Sequence, residues 1–198
     1  MRSFGRRRFI GASVATVCVG CASNDVPTLR PPSTGPEPAD PADPSLPGLD
    51  TSVEVGPLAE VRASAADAPL YVPEAKAWLI VLADDEAATM AETADLALRP
   101  GLEHGLLALY EKCPHLGCRV PYCESSGWFE CVCHGAHFTQ AGEHRTGPSP
   151  RGLDPLPVLV DGGMVAISVA ERIEGAPLGT VVIEQPATGP HCVDAGSA

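Results

Sequence analysis

Cys113-Pro114-His115-Leu116-Gly117-Cys118 and Cys131-Val132-Cys133-His134-Gly135 decide how this chain is read. Each box offers one thiolate and one imidazole, spaced C-x-H in the first and C-x-x-H in the second. Each also holds a further cysteine, Cys118 or Cys133. Two Cys and two His suit a tetrahedral zinc site, or a two-iron centre with cysteines on one iron and histidines on the other. Zinc needs only Cys113, His115, Cys131 and His134, and gives no role to Cys118, Cys133, Gly117 or Gly135. The two-iron arrangement is therefore expected. Visible absorption separates the two, because a zinc protein is colourless.

Outward from the boxes, short apolar runs cut by turn residues predict β-structure. The expected strands are 53–55, 58–63, 78–82, 106–110, 128–131, 156–160 and 165–169, with one more in the tail at 180–183. Asp161-Gly162-Gly163 predicts a tight hairpin, because glycine accepts the positive φ that such a turn needs. The stretch 84–98, rich in Ala, Glu, Leu and Met, predicts one helix ended by Arg99-Pro100-Gly101. The boxes then lie on loops between strands, where functional groups usually sit on a rigid scaffold.

Residues 1–23 read as targeting material. Arg6-Arg7-Arg8-Phe9-Ile10 fits a twin-arginine signal leading into a weakly apolar run. That route carries folded proteins, which suits a domain loaded with its metal before export. The apolar stretch from Phe9 to Ser23 is short against the roughly 20 residues that span a bilayer. Val19-Gly20-Cys21 resembles a lipobox, although Cys18 stands where an aliphatic residue is usual. Three outcomes follow: lipidation at Cys21, simple cleavage, or a retained N-terminal anchor. Cleavage before Cys21 would remove Arg2, Arg6, Arg7 and Arg8 and no acid. Residues 24–52 are dominated by Pro, Ala, Ser, Gly and Asp and predict a semi-extended linker, either a plain tail or a tether.

The 198 residues leave room for one ordinary domain plus tails. A net charge of −12 argues against nucleic acid, which needs a basic footprint. Eight cysteines would mean metal binding in a cytosolic chain and disulfides in an exported one; here both uses are expected. The sequence holds no nucleophile–base set, no Gly-rich phosphate loop and no acid pair.

The boxes are similar to those of the Rieske iron–sulfur protein family, in particular the subunit of cytochrome bc-type quinol oxidases. Residues 113–118 and 131–135 meet its pattern of C-x-H-x-G-C and C-x-C-H-G, and Gly147-Pro148-Ser149-Pro150 resembles its proline loop. The resemblance covers about residues 53–170, with residues 171–198 as a C-terminal extension. It implies an all-β fold: a Rieske-type antiparallel β-sandwich base domain with a smaller cluster-binding subdomain, about 111–152, inserted on loops. It also implies one [2Fe–2S] cluster held by Cys113, His115, Cys131 and His134, and a disulfide between Cys118 and Cys133. Imidazole donates less charge than thiolate, so such clusters are reduced more easily, at roughly −150 to +300 mV against about −400 mV. Each ligand His can carry a proton, which couples electron to proton.

The implied function is quinol oxidation, with His134 and His115 hydrogen-bonding quinol. The partners would be a cytochrome b-type membrane subunit and a cytochrome c-type acceptor on the outer face of the cytoplasmic membrane. The chain would be a redox subunit rather than an enzyme on its own. Three departures stand out: Val132 replaces the usual Pro, Ala136 a frequent Ser, and Phe138 a Tyr. The last two remove hydroxyl donors to the cluster sulfurs, which predicts a potential in the lower part of the range and favours menaquinol. The alternatives are the small subunit of an exported molybdenum oxidase of the arsenite-oxidase type, and a cytosolic ferredoxin or ring-hydroxylating oxygenase domain. Export and the tether count against the last, and the chain is too short for an oxygenase's catalytic iron domain. Cys123 and Cys192 either pair, pinning the tail, or stay as thiols; spacing does not decide. His104, His137, His144 and His191 lack ligand spacing and are expected to be surface or hydrogen-bonded residues. Trp78 and Trp128 are expected to serve packing.

Overall fold

The computed structural model describes residues 51–196. The twin-arginine segment, Cys21 and nearly all of the linker therefore lie outside the described residues. The strands form three antiparallel sheets. The first joins β1 (Ser52–Pro57), β11 (Met164–Ser168) and β10 (Val158–Asp161) in that order. The second is β2 (Leu70–Val72), β3 (Ala77–Val81), β4 (Leu106–Tyr110) and β9 (Pro155–Leu156). The third is β5 (Tyr122–Cys123), β6 (Trp128–Glu130), β7 (His137–Phe138) and β8 (His144–Thr146); box 113–118 precedes its β5, and box 131–135 joins its β6 to β7.

β3 and β4 show why the second sheet is the middle layer. Side chains alternate across a strand. Ala77, Leu79, Leu106 and Ala108 pack in one core with Val158, Val165 and Ile167 of the first sheet. Ile80, Leu107 and Leu109, with Leu82 just past β3, pack in another with Phe129 and Phe138 of the third sheet. Both faces of β3 and β4 are therefore apolar, and the third sheet rests on a wall buried on both sides. Pro157 stands between β9 and β10, where the chain leaves the middle sheet for the first. The predicted hairpin is present: Asp161 pairs with Met164, and Gly162 and Gly163 have φ of 56° and 82°.

Three sequence expectations are corrected. Residues 58–63 are not a strand but lie in α1 (Leu58–Ser64). Val61 and Ala65 are buried and Leu58 partly so, at a spacing of three and four residues, which is a helical period. The single helix over 84–98 is broken. α2 covers Asp84–Thr93, and the Asp95 carboxylate then accepts the Ala97 N–H at 2.8 Å to start a 3-10 turn, Leu96–Leu98. Pro100 does not end a helix but sits in the first turn of α3 (Arg99–Leu102), where no N–H is required. The expected strand at 180–183 is absent, because side chains take the place of a neighbouring strand. Arg145 donates to the Thr180 and Ile183 carbonyls at 3.1 and 3.2 Å, and Val182 N–H donates to Glu143 Oε1 at 2.6 Å.

Candidate metal centre

Both boxes are tight loops built on one backbone scheme. In the first, Cys113 N–H donates to the Cys118 carbonyl and Gly117 N–H to the Cys113 carbonyl, both at 2.8 Å. In the second, Cys131 N–H donates to the Ala136 carbonyl at 2.8 Å and Gly135 N–H to the Cys131 carbonyl at 3.1 Å. The leading cysteine and the glycine four residues later thus hold equivalent places. Gly117 and Gly135 have φ of 76° and 63°, which favours glycine at both. The boxes differ in what the loop tip presents: His115 two residues after Cys113, and His134 three after Cys131.

The His115 and His134 rings meet edge to face, with centroids 4.9 Å apart. Cys113 and Cys131 lie buried as the free cysteines of the described residues. Cys118 and Cys133 are joined by a disulfide that ties the two loops together. The Cys118, Cys131 and Cys133 sulfurs lie within 4.8 Å of one another, so the bridge stands directly beside a free thiol. Beyond the thiols, the loops expose Leu116 and Val132, at 70% and 61%.

Two observations test whether these residues fit a metal centre. His134 Nδ1 is buried with no hydrogen-bond partner, the state of a nitrogen that keeps its lone pair for a ligand. Burial, with the neighbouring Cys131 adding to it, pushes the Cys113 thiol up to about 11, against the pull of the His115 N–H and the Ser149 hydroxyl. A neighbouring cationic iron would reverse that preference and hold the thiolate. The donor set fits a centre with two sulfur and two nitrogen ligands.

A third loop closes over the second. Gly147, with φ of 88°, lies so near the Gly135 carbonyl and Ala136 that a Cβ there would overlap their backbone. Ser149 is buried and donates to the Arg151 carbonyl at 2.9 Å.

Sequence reasoning missed two buried carboxylates at the loop roots. Glu111, two residues before Cys113, accepts from Tyr71 Oη at 2.7 Å and pairs with Arg119 Nε at 3.0 Å. Glu130, one residue before Cys131, is fully buried. Burial pushes the Glu130 carboxyl up, but donated bonds from Ser126, His191 and the Val193 N–H outweigh it and hold the group below the ordinary carboxylate value. The available signal was an acid inside the apolar run Trp128-Phe129-Glu130-Cys131.

Cys123 and Cys192, left open by the sequence, are paired. His137 and His191 are hydrogen-bonded as expected, to the Val193 carbonyl and to Glu130. Trp78 packs against Phe129 with centroids 5.7 Å apart.

Residues 70–158 match the family model of the Rieske [2Fe-2S] domain. The chain carries a Rieske [2Fe–2S] domain. A Rieske domain binds a [2Fe–2S] cluster, and both boxes lie within the matched residues. The chain is 38% identical over 71 residues to the cytochrome b6-f complex iron-sulfur subunit of Chlorobaculum tepidum, covering 35% of this chain and 39% of that protein. It is 48% identical over 60 residues to the ubiquinol-cytochrome c reductase iron-sulfur subunit of Rhodobacter capsulatus, covering 28% of this chain and 30% of that protein. It thus spans well under half the length of the curated relatives it matches. Among solved structures, the soluble domain of the Rieske protein II from Sulfolobus acidocaldarius aligns at 17% identity and a TM-score of 0.43, over 71% of this chain and 89% of that one.

Proposed function

We propose that this protein is the Rieske electron-transfer subunit of a quinol-oxidising membrane complex. Cys113 and Cys131 hold one iron, and His115 and His134 hold the other. The observation that carries this reading is the pair of half-buried imidazoles that meet edge to face on two loops whose leading cysteines are buried free thiols. When bound, the cluster supplies a one-electron centre whose imidazole ligands exchange a proton with the electron. With His134 Nδ1 turned inward, Nε2 stands on the opposite edge of the ring, placed to hydrogen-bond a quinol hydroxyl. That nitrogen takes the hydroxyl proton as the quinol loses one electron. Exposed Leu116 and Val132 give the apolar surround that a quinol pocket needs.

The named relatives belong to cytochrome b6-f and ubiquinol-cytochrome c complexes, which favours cytochrome b-type and cytochrome c-type partners. Menaquinol is the favoured quinol. Ala136 and Phe138 are both buried and bring no hydroxyl to the cluster, which keeps its potential low. Twin-arginine export to the outer face of the cytoplasmic membrane, with attachment at Cys21 or through the N-terminal segment, is consistent with two disulfides in one small domain. No helix among the described residues is long and apolar enough to cross a membrane. Purification from membranes tests the assembly. Co-purifying b-type haem and menaquinol-dependent reduction support it, whereas a molybdopterin partner in place of b-type haem would replace it with the molybdenum-oxidase reading.

A further inference from the structure

The C-terminal segment beyond β11, which the Rieske match does not cover, runs as a strap along the cluster-binding sheet. Trp128 Nε1 donates to the Gln185 carbonyl at 3.0 Å, and Ala141 N–H to Gln185 Oε1 at 3.0 Å. Thr188 N–H reaches the Ser126 carbonyl at 2.9 Å. The Cys123–Cys192 disulfide then fixes the strap to the end of β5.

Glu130 is the centre of its last stretch. One carboxylate oxygen accepts the Ser126 hydroxyl and His191 Nδ1, each at 2.7 Å. The other accepts the strap N–H groups of Cys192 and Val193, at 2.7 and 2.8 Å. His137 Nε2 donates to the Val193 carbonyl at 2.8 Å. Three residues further on, Gly196 N–H approaches the Gly135 carbonyl at 3.4 Å. A Cβ on Gly135 would overlap the backbone of Asp194 and Gly196. Gly135 thus lies in close backbone contact with both the strap and Gly147 of the third loop.

We infer that Glu130 is a positioning residue for the cluster: through Cys192 and Val193 it seats the strap against Gly135, and so fixes the loop that carries Cys131 and His134. A fully buried carboxylate with four donors is costly to keep unless it organises structure. Here every donor except Ser126 belongs to the strap. His191 and His137 also stack, with centroids 4.4 Å apart and planes 31° apart. The donor atoms of Glu130, His137 and His191 lie within 4.8 Å of one another, but both Glu130 oxygens, His191 Nδ1 and His137 Nε2 are already engaged in the clasp, which accounts for the group.

The inference rests on the ligand set proposed above, and the experiment separates the two. Hydrogen–deuterium exchange over 131–136 and chelator-driven bleaching of visible absorption are compared in the cluster-loaded full chain and in Glu130→Ala. The expected result is exchange about tenfold faster over 131–136, with 113–118 changed less than about threefold, and bleaching about tenfold faster. Glu130→Gln, which still offers an oxygen to both strap N–H groups, should fall between. Faster exchange confined to 188–196, with 131–136 and bleaching unchanged, overturns the inference. If Glu130→Ala does not fold, the same readings on full-length Cys123→Ser/Cys192→Ser decide in the same way. A wild-type chain that never acquires visible absorption counts against the ligand set, not against the strap.

Discussion

Cys113 and Cys131 each stand within two residues of a buried glutamate, and the two glutamates differ in what holds them. Glu111 is held by Tyr71 and Arg119 on the base side, Glu130 by Ser126 and the strap. The residues nearest the expected cluster are unusual for what they lack. Ala136 and Phe138 are buried and carry no hydroxyl, so nothing at these positions favours the reduced, more negative state. Ala136→Ser should raise the reduction potential by about 60 mV, the one-electron equivalent of a hydrogen bond worth roughly 1.4 kcal/mol. A redox titration checks this, and an unchanged or lowered potential would remove the argument for menaquinol.

At the scale of elements, the loops are held by close backbone packing rather than by regular structure. Gly147→Ala places a Cβ against Gly135 and Ala136 at a φ of 88°, and should cost about 2 kcal/mol or more. Denaturant unfolding would report it, together with a lowered iron content; wild-type stability would mean that the third loop is free to move away. The sequence made the boxes and the inner strands legible, because ligand spacing, the apolar runs of β3 and β4, and the Asp161-Gly162-Gly163 turn are all local signals. It did not make α1 legible, since a run of seven residues holding only Leu58 and Val61 as large apolar side chains fits either period. The tail at 171–196 was the least legible. Its partners, Glu130, Glu143, Arg145 and Asp154, are far away in sequence, and its one short apolar run, at 180–183, reads locally as a strand.

For the whole molecule, two buried groups set a common pH response. Burial holds His137 below the ordinary imidazole value, with Glu130 opposing it. Glu130 itself lies below the ordinary carboxylate value. In both cases the unfolded chain binds the proton more readily than the folded one, so stability rises with pH across each window. The contribution of His137 is complete above its ordinary value of 6.5 and falls as pH drops through its lower folded value. That of Glu130 is complete above 4.5 and is lost below that in the same way. Thermal melts from pH 8 to pH 4 should show the midpoint falling in acid, and Glu130→Gln should flatten the lower part of that fall. An equally steep fall in the variant would assign the acid loss to other groups.

In the proposed centre, two cysteines and two histidines of these boxes share one [2Fe–2S] cluster. Pulsed electron paramagnetic resonance of the chemically reduced, cluster-loaded chain, with histidine labelled by nitrogen-15, tests it most directly. Two distinct nitrogen couplings are expected, one of them lost in His115→Cys and the other in His134→Cys. A reduced centre without histidine nitrogen coupling, or a colourless protein holding zinc, would contradict it.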